Sequence, residues 1–395
     1  MALRASTRIK ELPWSEIRVV MGKAMQMQAE GKKVINWHVG RPGFDTPQHI
    51  KDAANAALQA GHVHYGPTPG IPSLREAIAK RSELDWGVPV SADRVVVSNG
   101  GMEAVTALTI GLLNPGDEVI MPTPNWPNLY WTMKLLGACP VEVRLKEEQN
   151  MIMTAADIEQ AITPKTRMVV LSSPGNPVGT TTSAEQLKEI AELVVARDLI
   201  VVSDETYARL YYGDTDVAPS IMSFPGMAER GISLGTFSKT YAMDGWRLGW
   251  AVCPEGELFG EVNKSRYYIS SCSNTFIQYG AVAALEGSQD CVAEMKELYQ
   301  DRLKVIVEGL QAIPGINLVV PDGAFYVFPD VSAYGASGVI ASRLLDEYGV
   351  ALVDGAGLGD GGEGKLRIAY SCSTEDCKEG IRRMQEFFSG LERVK

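Results

Sequence analysis

The chain has 395 residues, of which 45% are hydrophobic and 22% are charged, and these values are ordinary for a globular protein. Because this length exceeds that of a single-core domain, it predicts two domains. The formal net charge of −11 argues against nucleic acid or an anionic membrane as the main partner, since both favour a basic face.

The cysteines, the histidines and the first residues indicate the redox state, the metal content and the location to expect for the protein. Six cysteines are scattered without a CxxC pair, which favours a reduced protein. The four histidines have no acidic partners at ligand spacing, so we expect no metal site. No apolar segment of signal-peptide or membrane length follows the start Met-Ala-Leu-Arg-Ala-Ser, and we therefore expect a cytoplasmic protein without a membrane partner.

The central part of the chain alternates short apolar runs with helical patterns, which is typical of a largely parallel sheet covered by helices. The runs that predict strands cover residues 95–98, 118–121, 168–172, 200–203, 232–235 and 248–253. A helix is predicted over residues 185–197, where Ser183 and Gln186 form a capping box. Gly, Pro, Asn or Ser follows each strand, as at the ligand-binding edge of an α/β sheet.

The pattern changes after about residue 289, where a smaller α+β domain is predicted. Its elements are a long charged helix over residues 292–311, strands over 317–320 and 325–328, a helix near 340–348, a strand over 365–370 and a final helix. The N-terminal stretch is expected to join this unit in space. The predicted division is a large domain over residues 46–289 and a small domain formed by residues 1–45 with residues 290–395.

Lys239 ends a mostly apolar run and lies between two hydroxyl residues. An ammonium is costly to bury, so a lysine in an apolar setting tends to lose its proton and becomes a nucleophile that can form a Schiff base. Arg247 stays charged, and its forked donors suit a phosphate. A lysine for an aldehyde and an arginine for a phosphate together point to pyridoxal 5′-phosphate (PLP), although a solvated lysine at a strand end gives the same local pattern.

The segment 233–249, Ser-Leu-Gly-Thr-Phe-Ser-Lys-Thr-Tyr-Ala-Met-Asp-Gly-Trp-Arg-Leu-Gly, resembles the Schiff-base motif of the class I/II aminotransferases. These belong to fold type I of the PLP enzymes, and the resemblance extends from about Leu12 to the last helix. It implies a large domain with a mostly parallel, seven-stranded sheet and a smaller α+β domain. It also implies that Lys239 carries the cofactor as an aldimine, while Thr236 and Arg247 hold its phosphate.

Asp204 follows the apolar run 199–203, where an unpaired carboxylate would be expensive. A protonated pyridine nitrogen would be a suitable partner, and a helix N-cap is the alternative. Tyr207, three positions later, completes a match to the family's Asp-x-x-Tyr element. The resemblance then assigns Asp204 to the ring nitrogen and Tyr207 to the phenolic oxygen. Asn176, a turn residue, is assigned to the same oxygen and to the substrate.

Gly100, Gly101 and Met102 lie between a strand and a helix predicted to begin near Glu103. Glycines there let backbone amides approach an anion, and a helix N-terminus attracts phosphate, although an isolated Gly-Gly would be only a loop. Because the three residues precede Lys239 in the family's order, the resemblance implies that they bind the phosphate.

Two aromatic residues are assigned by the same resemblance. Trp126 is expected to lie flat against the pyridine ring, although by itself it could be a buried loop aromatic. Tyr65 matches the tyrosine that reaches the phosphate of the neighbouring subunit. The resemblance therefore implies a homodimer with shared active sites.

The expected substrate contacts are Gly40, Asn176 and Arg367. Arg367 lies in a predicted strand with apolar neighbours, and its fork suits the α-carboxylate of an amino acid, with a structural salt bridge as the alternative. The family commonly shows Gly-Glu-Pro-Asp-Phe where residues 40–44 read Gly-Arg-Pro-Gly-Phe. A bacterial aspartate aminotransferase subgroup has a lysine in place of Met102 for side-chain carboxylates, so aspartate specificity is in doubt.

The N-terminal segment leaves two hypotheses about the substrate side chain. Trp14, Trp37 and His38 would suit an aromatic or other apolar side chain if they cover the substrate. Arg41 would instead suit a carboxylate. Kinetics with a panel of amino acids would eliminate one of the two.

The resemblance implies a PLP-dependent aminotransferase that moves an amino group from an L-amino acid to a 2-oxo acid by a ping-pong mechanism. A PLP-dependent lyase or cyclase acting on a modified amino acid is the alternative, because the same scaffold supports several fates of one carbanion. A PLP-binding regulator is less well supported, since the sequence contains no basic helix for DNA.

Overall fold

The computed structural model describes residues 5–394, and its strands and helices alternate through most of the chain. The strands are β1 (Ile35–Asn36), β2 (Val95–Ser98), β3 (Glu118–Thr123), β4 (Cys139–Arg144), β5 (Thr166–Ser172), β6 (Ile200–Asp204), β7 (Gly231–Thr236), β8 (Gly249–Val252), β9 (Tyr326–Val327), β10 (Val350–Ala351), β11 (Val353–Asp354) and β12 (Leu366–Ala369). The α-helices are α1 (Thr7–Lys10), α2 (Glu16–Ala29), α3 (Gln48–Gln59), α4 (Pro72–Trp86), α5 (Gly101–Leu112), α6 (Pro127–Leu135), α7 (Ala155–Ala161), α8 (Ala184–Ala196), α9 (Met227–Arg230), α10 (Phe237–Thr240), α11 (Glu257–Ser270), α12 (Thr275–Glu286), α13 (Asp290–Gln311), α14 (Ser337–Tyr348) and α15 (Thr374–Ser389).

The central sheet has seven strands in the order β2-β8-β7-β6-β5-β3-β4. Strand β8 runs antiparallel to β2 and β7, and the other neighbouring strands are parallel. Most residues of strands β5, β6 and β7 are buried on both faces, as expected for parallel strands covered by helices on each side. The predicted fold class, a mostly parallel seven-stranded α/β sheet with a smaller α+β unit, is confirmed.

The predicted strands of this sheet match the observed ones within two residues at each end, but β4 is an additional strand. Its residues alternate polar and apolar side chains at the edge of the sheet, so it lacks the apolar run that marks the buried strands. Helix α8 begins as predicted, since Ser183 accepts a hydrogen bond from the Gln186 amide and the Gln186 side chain accepts one from the Ser183 amide.

A second apolar cluster lies apart from the core of the central sheet and draws on both ends of the chain. It includes Ile35 and Trp37 near the N-terminus and buried side chains of helices α13, α14 and α15. Strands β11, β12 and β9 form an antiparallel sheet beside it, and β1 pairs with β10 in parallel. The predicted strand over residues 317–320 was wrong, because only Asn317 forms a bridge, to Asp330, and the following residues have no strand partner.

The sheet brings the ends of three strands to one edge. Ser172 at the end of β5 pairs with Asp204 at the end of β6, and Asp204 pairs with Leu234 near the end of β7. The segment that follows β7 contains Lys239. Among residues 5–394, no helix combines the length and the apolar character that a membrane span requires.

Candidate active site

Lys239 lies in the single turn of α10, directly after β7, rather than at the end of the strand itself. Thr236 begins this turn by accepting a hydrogen bond from the Ser238 amide (3.2 Å). The Lys239 ammonium donates to the Gly40 carbonyl (2.6 Å). Burial lowers the pKa of Lys239 to about 8; Asp244 opposes this shift, whereas Arg367 adds to it. The side chain therefore becomes a neutral nucleophile at a lower pH than an exposed lysine does.

Asp204 lies at the end of β6, and its Oδ1 accepts a hydrogen bond from the Thr206 amide (3.1 Å). Burial raises the pKa of this carboxyl, while the Thr206 hydrogen bonds and the charge of Lys239 act in the opposite direction. The Thr206 contact belongs to a turn, and no helix begins directly after Asp204 in the described chain, so the helix N-cap considered as the alternative is not formed. A cationic group beside the buried carboxylate would offset the cost of its desolvation.

The glycine segment before α5 packs against Arg247. Gly100 has φ +86°, and a Cβ there would lie 2.6 Å from the Arg247 Nη2. Helix α5 begins at Gly101, two residues before the predicted start near Glu103, and Gly100 with its positive φ is the N-cap. Arg247 is itself left-handed (φ +56°) and donates to the Asp244 carbonyl (2.8 Å). A guanidinium thus faces the N-terminal end of a helix, where backbone amides also attract an anion.

Arg367 is 1% exposed and lies on β12. Its Nη1 donates to the Asn176 Oδ1 (3.2 Å), and its Nη2 donates to the His38 carbonyl (2.6 Å). Its Nε has no hydrogen-bond partner among the described residues. Burial lowers the pKa of Arg367, and no carboxylate of the described residues forms a salt bridge with it. A buried guanidinium with an unused donor suits a ligand carboxylate.

Tyr326 contacts both Tyr207 and Gly40, but it was not selected from the sequence as a site residue. The hydroxyls of Tyr207 and Tyr326 are 2.8 Å apart, and the ring of Tyr326 lies 5.0 Å from the Arg367 guanidinium. A Cβ on Gly40 would overlap the Tyr326 hydroxyl. Tyr326 was missed because a tyrosine in a predicted apolar strand is typical of a core aromatic; the available signal was that a buried tyrosine hydroxyl usually needs a partner.

Comparisons with known proteins decide the family. Residues 32–384 match the family model described as aminotransferase class I and II. The chain is 38% identical to a probable aspartate/prephenate aminotransferase of Aquifex aeolicus, over 96% of this chain and 98% of that protein.

The chain belongs to the class I and II aminotransferases.

Solved structures agree with this assignment. The aspartate aminotransferase from Rhizobium meliloti superposes with a TM-score of 0.94 at 31% identity, over 99% of this chain and 100% of that one. An aromatic aminotransferase from Pyrococcus horikoshii OT3 superposes with a TM-score of 0.87 at 37% identity, over 93% and 98%. The predicted family, the transaminase activity and the PLP cofactor are confirmed.

This aminotransferase has a recess of about 540 Å³, and of the predicted cofactor residues Trp126 lines it. Its walls come from the N-terminal segment, β3, α6 and the loop before β12, and they include Trp14, Met121, Asn125, Trp126, Tyr130, Trp131, Leu135 and Leu358. Asn125 also lines a small adjoining pocket that contains Asn176, the partner of Arg367. The recess is lined by two carboxylate side chains, Glu16 and Glu142. Among the described residues, no lysine or arginine lines the recess.

Three residues considered for the substrate side chain have different positions. Trp14 lines the recess and is 86% exposed. Trp37 is fully buried against α15, where a Cβ on Gly380 would overlap its ring, and it does not line the recess. His38 is also buried, and its pKa is lowered to about 4 by burial and by Arg367. Arg41 is exposed and lies outside the lining.

Two other predicted site residues have no described hydrogen bond or salt bridge to Lys239. Tyr65 is 94% exposed on the loop between α3 and α4, and none of its described contacts joins it to Lys239 or Arg247. Met102 is partly buried in the first turn of α5. Within the described chain, His, Cys, Asp and Glu side chains do not group in a way that could hold a metal ion.

Proposed function

We propose that Lys239, Asp204 and Tyr207 form the reacting centre of a ping-pong transamination between an L-amino acid and a 2-oxo acid. The observation that carries this proposal is Lys239, a buried lysine with a pKa of about 8 whose ammonium is held by the Gly40 carbonyl on the substrate side. Bound PLP supplies an aldehyde for the amine and a ring that accepts the electrons released when the α-carbon loses its proton.

Each residue around Lys239 has a distinct task in this proposal. Lys239 binds the cofactor aldehyde, and its neutral amine then takes up the α-proton and returns it to the cofactor side. Asp204 keeps the pyridine nitrogen protonated, which also neutralises a carboxylate that is otherwise buried at a cost. Tyr207 and Asn176 donate to the phenolic oxygen, and Trp126 packs on the ring.

The phosphate is assigned to the other end of the site. Arg247 and Thr236 hold it together with the backbone amides of Gly100, Gly101 and Met102. Support comes from the close approach of Arg247 to Gly100, which leaves the amides at the start of α5 beside a guanidinium.

Arg367 is assigned to the α-carboxylate of the substrate, with Asn176 and Gly40 beside it. The unused Nε of Arg367 and its hydrogen bond to Asn176 support this assignment. Because the guanidinium is already fixed by Asn176 and by the His38 carbonyl, little side-chain entropy remains to be lost when a carboxylate binds.

We further propose a cytoplasmic homodimer in which Tyr65 reaches the phosphate of the partner subunit. The 94% exposure of Tyr65 supports a contact outside its own chain. Mixing a Tyr65→Phe variant with a Lys239→Ala variant tests this idea, because each mixed dimer would then contain one site with both Lys239 and Tyr65 intact. Activity of the mixture above the sum of the two variants would support shared sites, and strictly additive activity would contradict them.

The division into two domains is also a proposal, with residues 46–289 as the large domain and residues 1–45 with 290–395 as the small domain. The separate apolar cluster around α13, α14 and α15 supports it. Limited proteolysis near residue 289 that released a stable central fragment would agree with these bounds.

The walls of the recess suggest which side chain the donor carries. The relatives are named for aspartate and for aromatic substrates, so their names leave the choice open. In this chain the recess has four aromatic walls, Trp14, Trp126, Tyr130 and Trp131, and its acids Glu16 and Glu142 would repel a carboxylate. Lys134 lies outside the lining, with its ammonium 5.2 Å from the Trp131 ring. We therefore propose a donor with a bulky uncharged side chain.

Half-reaction spectroscopy tests both the proposed transamination and the proposed class of amino donor. Purified PLP-bound enzyme is mixed with single amino acids, and the loss of the visible absorption of bound PLP is followed together with keto-acid release. Conversion by phenylalanine or tryptophan at higher kcat/KM than by aspartate is expected. Preference for aspartate would contradict the donor class alone, whereas release of ammonia with full recovery of the absorption would favour the lyase alternative.

A further inference from the structure

Tyr326 touches three of the residues to which the proposed function assigns a role. It is 1% exposed on β9, its hydroxyl is 2.8 Å from that of Tyr207, and the two rings cross at 84°. The Arg367 guanidinium packs over its ring, 5.0 Å from the ring centroid. The Tyr326 hydroxyl occupies the space that a side chain on Gly40 would need. The Gly40 carbonyl in turn accepts from Lys239.

The two tyrosines share one contact but carry two hydroxyl protons. Burial raises the pKa of both residues, so each keeps its proton at neutral pH. One proton lies between the two oxygens, and the other must point to a third group. If Tyr207 directs its proton to the phenolic oxygen of PLP, the proton between the oxygens has to come from Tyr326.

We propose, building on the proposed function, that Tyr326 is a positioning residue whose hydroxyl donates to Tyr207 and thereby directs the Tyr207 proton to PLP, while its ring holds Arg367. A donor that itself accepts a hydrogen bond is a stronger donor, because the two bonds polarise each other. The requirement for glycine at position 40 follows from the same contact, since any side chain there would displace the Tyr326 hydroxyl.

The direction of the effect on bound PLP can be derived. A hydrogen bond to the phenolic oxygen favours its charged form and lets the neighbouring cofactor nitrogen give up its proton at a lower pH. In a Tyr326→Phe variant, Tyr207 loses its donor and binds the phenolic oxygen less strongly. The midpoint of the pH-dependent change in the visible absorption should then move upward, by about half a pH unit if a single neutral hydrogen bond is weakened.

The decisive experiment is a spectrophotometric pH titration of the PLP-bound enzyme with Tyr326→Phe in two backgrounds. In the otherwise unchanged enzyme we expect the upward shift, and in a Tyr207→Phe background we expect the added substitution to produce none. Tyr299→Phe is the matched control, because it removes a hydroxyl from the same buried aromatic cluster and should leave the midpoint in place. An unchanged midpoint in Tyr326→Phe, or an equal shift in both backgrounds, would overturn the proposal.

A second variant separates the ring from the hydroxyl. Tyr326→Leu removes the ring beneath Arg367, so the KM for the amino acid should rise several-fold, about the worth of one cation–π contact, whereas Tyr326→Phe should leave the KM near its original value. Equal KM values in the two variants would contradict the part of the proposal that concerns Arg367. A Lys239→Ala variant that kept the original visible absorption would instead refute the proposed function and leave the Tyr207–Tyr326 contact unaffected.

Discussion

The edge of the sheet that we propose binds the cofactor is built in a different way from the recess lined by Trp126. The edge consists of the ends of β5, β6 and β7 and the turn that follows β7, all within one buried sheet. The recess is assembled from the N-terminal segment, the end of β3, α6 and the loop before β12, and its Trp14 wall is 86% exposed. Groups on a packed sheet can be held accurately enough for proton transfer, whereas the walls of the recess that lie outside β3 can change without disturbing the sheet.

The difference predicts that substitutions at the edge slow the reaction with every amino acid, while substitutions of recess residues other than Trp126 change which amino acid is used. The largest effect is expected at Asp204. Asp204→Asn removes the charge that we propose keeps the ring nitrogen protonated, and kcat should fall by about 10²–10³-fold, as for other lost electrostatic contacts to a reacting centre. Asp198→Asn is the control and should keep kcat, because Asp198 lies just before the opposite end of the same strand and its side chain is 96% exposed in an ion pair with Arg230. Similar losses in both variants would point to a folding defect instead.

A smaller loss is expected at Arg367. Arg367→Lys keeps the charge but removes the fork and the unused Nε, so kcat/KM for every amino acid should fall by roughly 10–100-fold. Steady-state kinetics with aromatic and with small donors measures this change. A loss confined to one donor would show that Arg367 reads the side chain rather than the α-carboxylate.

The pH dependence of PLP capture by the cofactor-free enzyme tests the electrostatics of the edge. Burial disfavours the Lys239 ammonium, so its proton leaves at a pKa of about 8, and the neutral nucleophile is lost as the pH falls below that value. The capture rate should therefore drop nearly tenfold for each pH unit below 8 and level off above it. A rate that keeps rising to pH 10 would mean that Lys239 titrates like an exposed lysine.

The smallest effect is expected in the recess. Trp131→Ala removes one aromatic wall, so kcat/KM for phenylalanine or tryptophan should fall by about 2–10-fold, the worth of one aromatic contact. Alanine as the donor does not reach this wall and should react at the original rate. An equal loss of kcat/KM for alanine would contradict the idea that this wall of the recess affects only the choice of amino donor.

The sequence predicted the strands and residues at the edge of the sheet better than it predicted the recess. Strands such as 95–98 and 200–203 were predicted because short, continuous apolar runs that alternate with helical patterns are typical of buried parallel strands. Lys239, Asp204 and Arg247 could be selected because each is a charged or nucleophilic residue next to such a run, in an order that resembles a known motif. These signals are local in the sequence.

Other features depend on contacts between distant segments and left no local signal. Tyr326 is a core aromatic by its neighbours, and only the fold brings its hydroxyl to Tyr207, 119 positions away. Trp37 was expected near the substrate, but in the structure it packs against α15. Nothing in the sequence around Trp37 indicates this contact with a distant helix. The recess was likewise out of reach, since its walls come from four separate segments.

Reduction of the PLP-bound enzyme with borohydride, followed by peptide mapping, tests the central claim most directly. Reduction makes the bond between PLP and its lysine permanent, so mass spectrometry identifies the residue that carries the cofactor. We expect the added mass on Lys239, in the peptide that follows β7, and its absence when PLP is removed beforehand. Stoichiometric labelling of a different lysine, with Lys239 unmodified, would contradict the account.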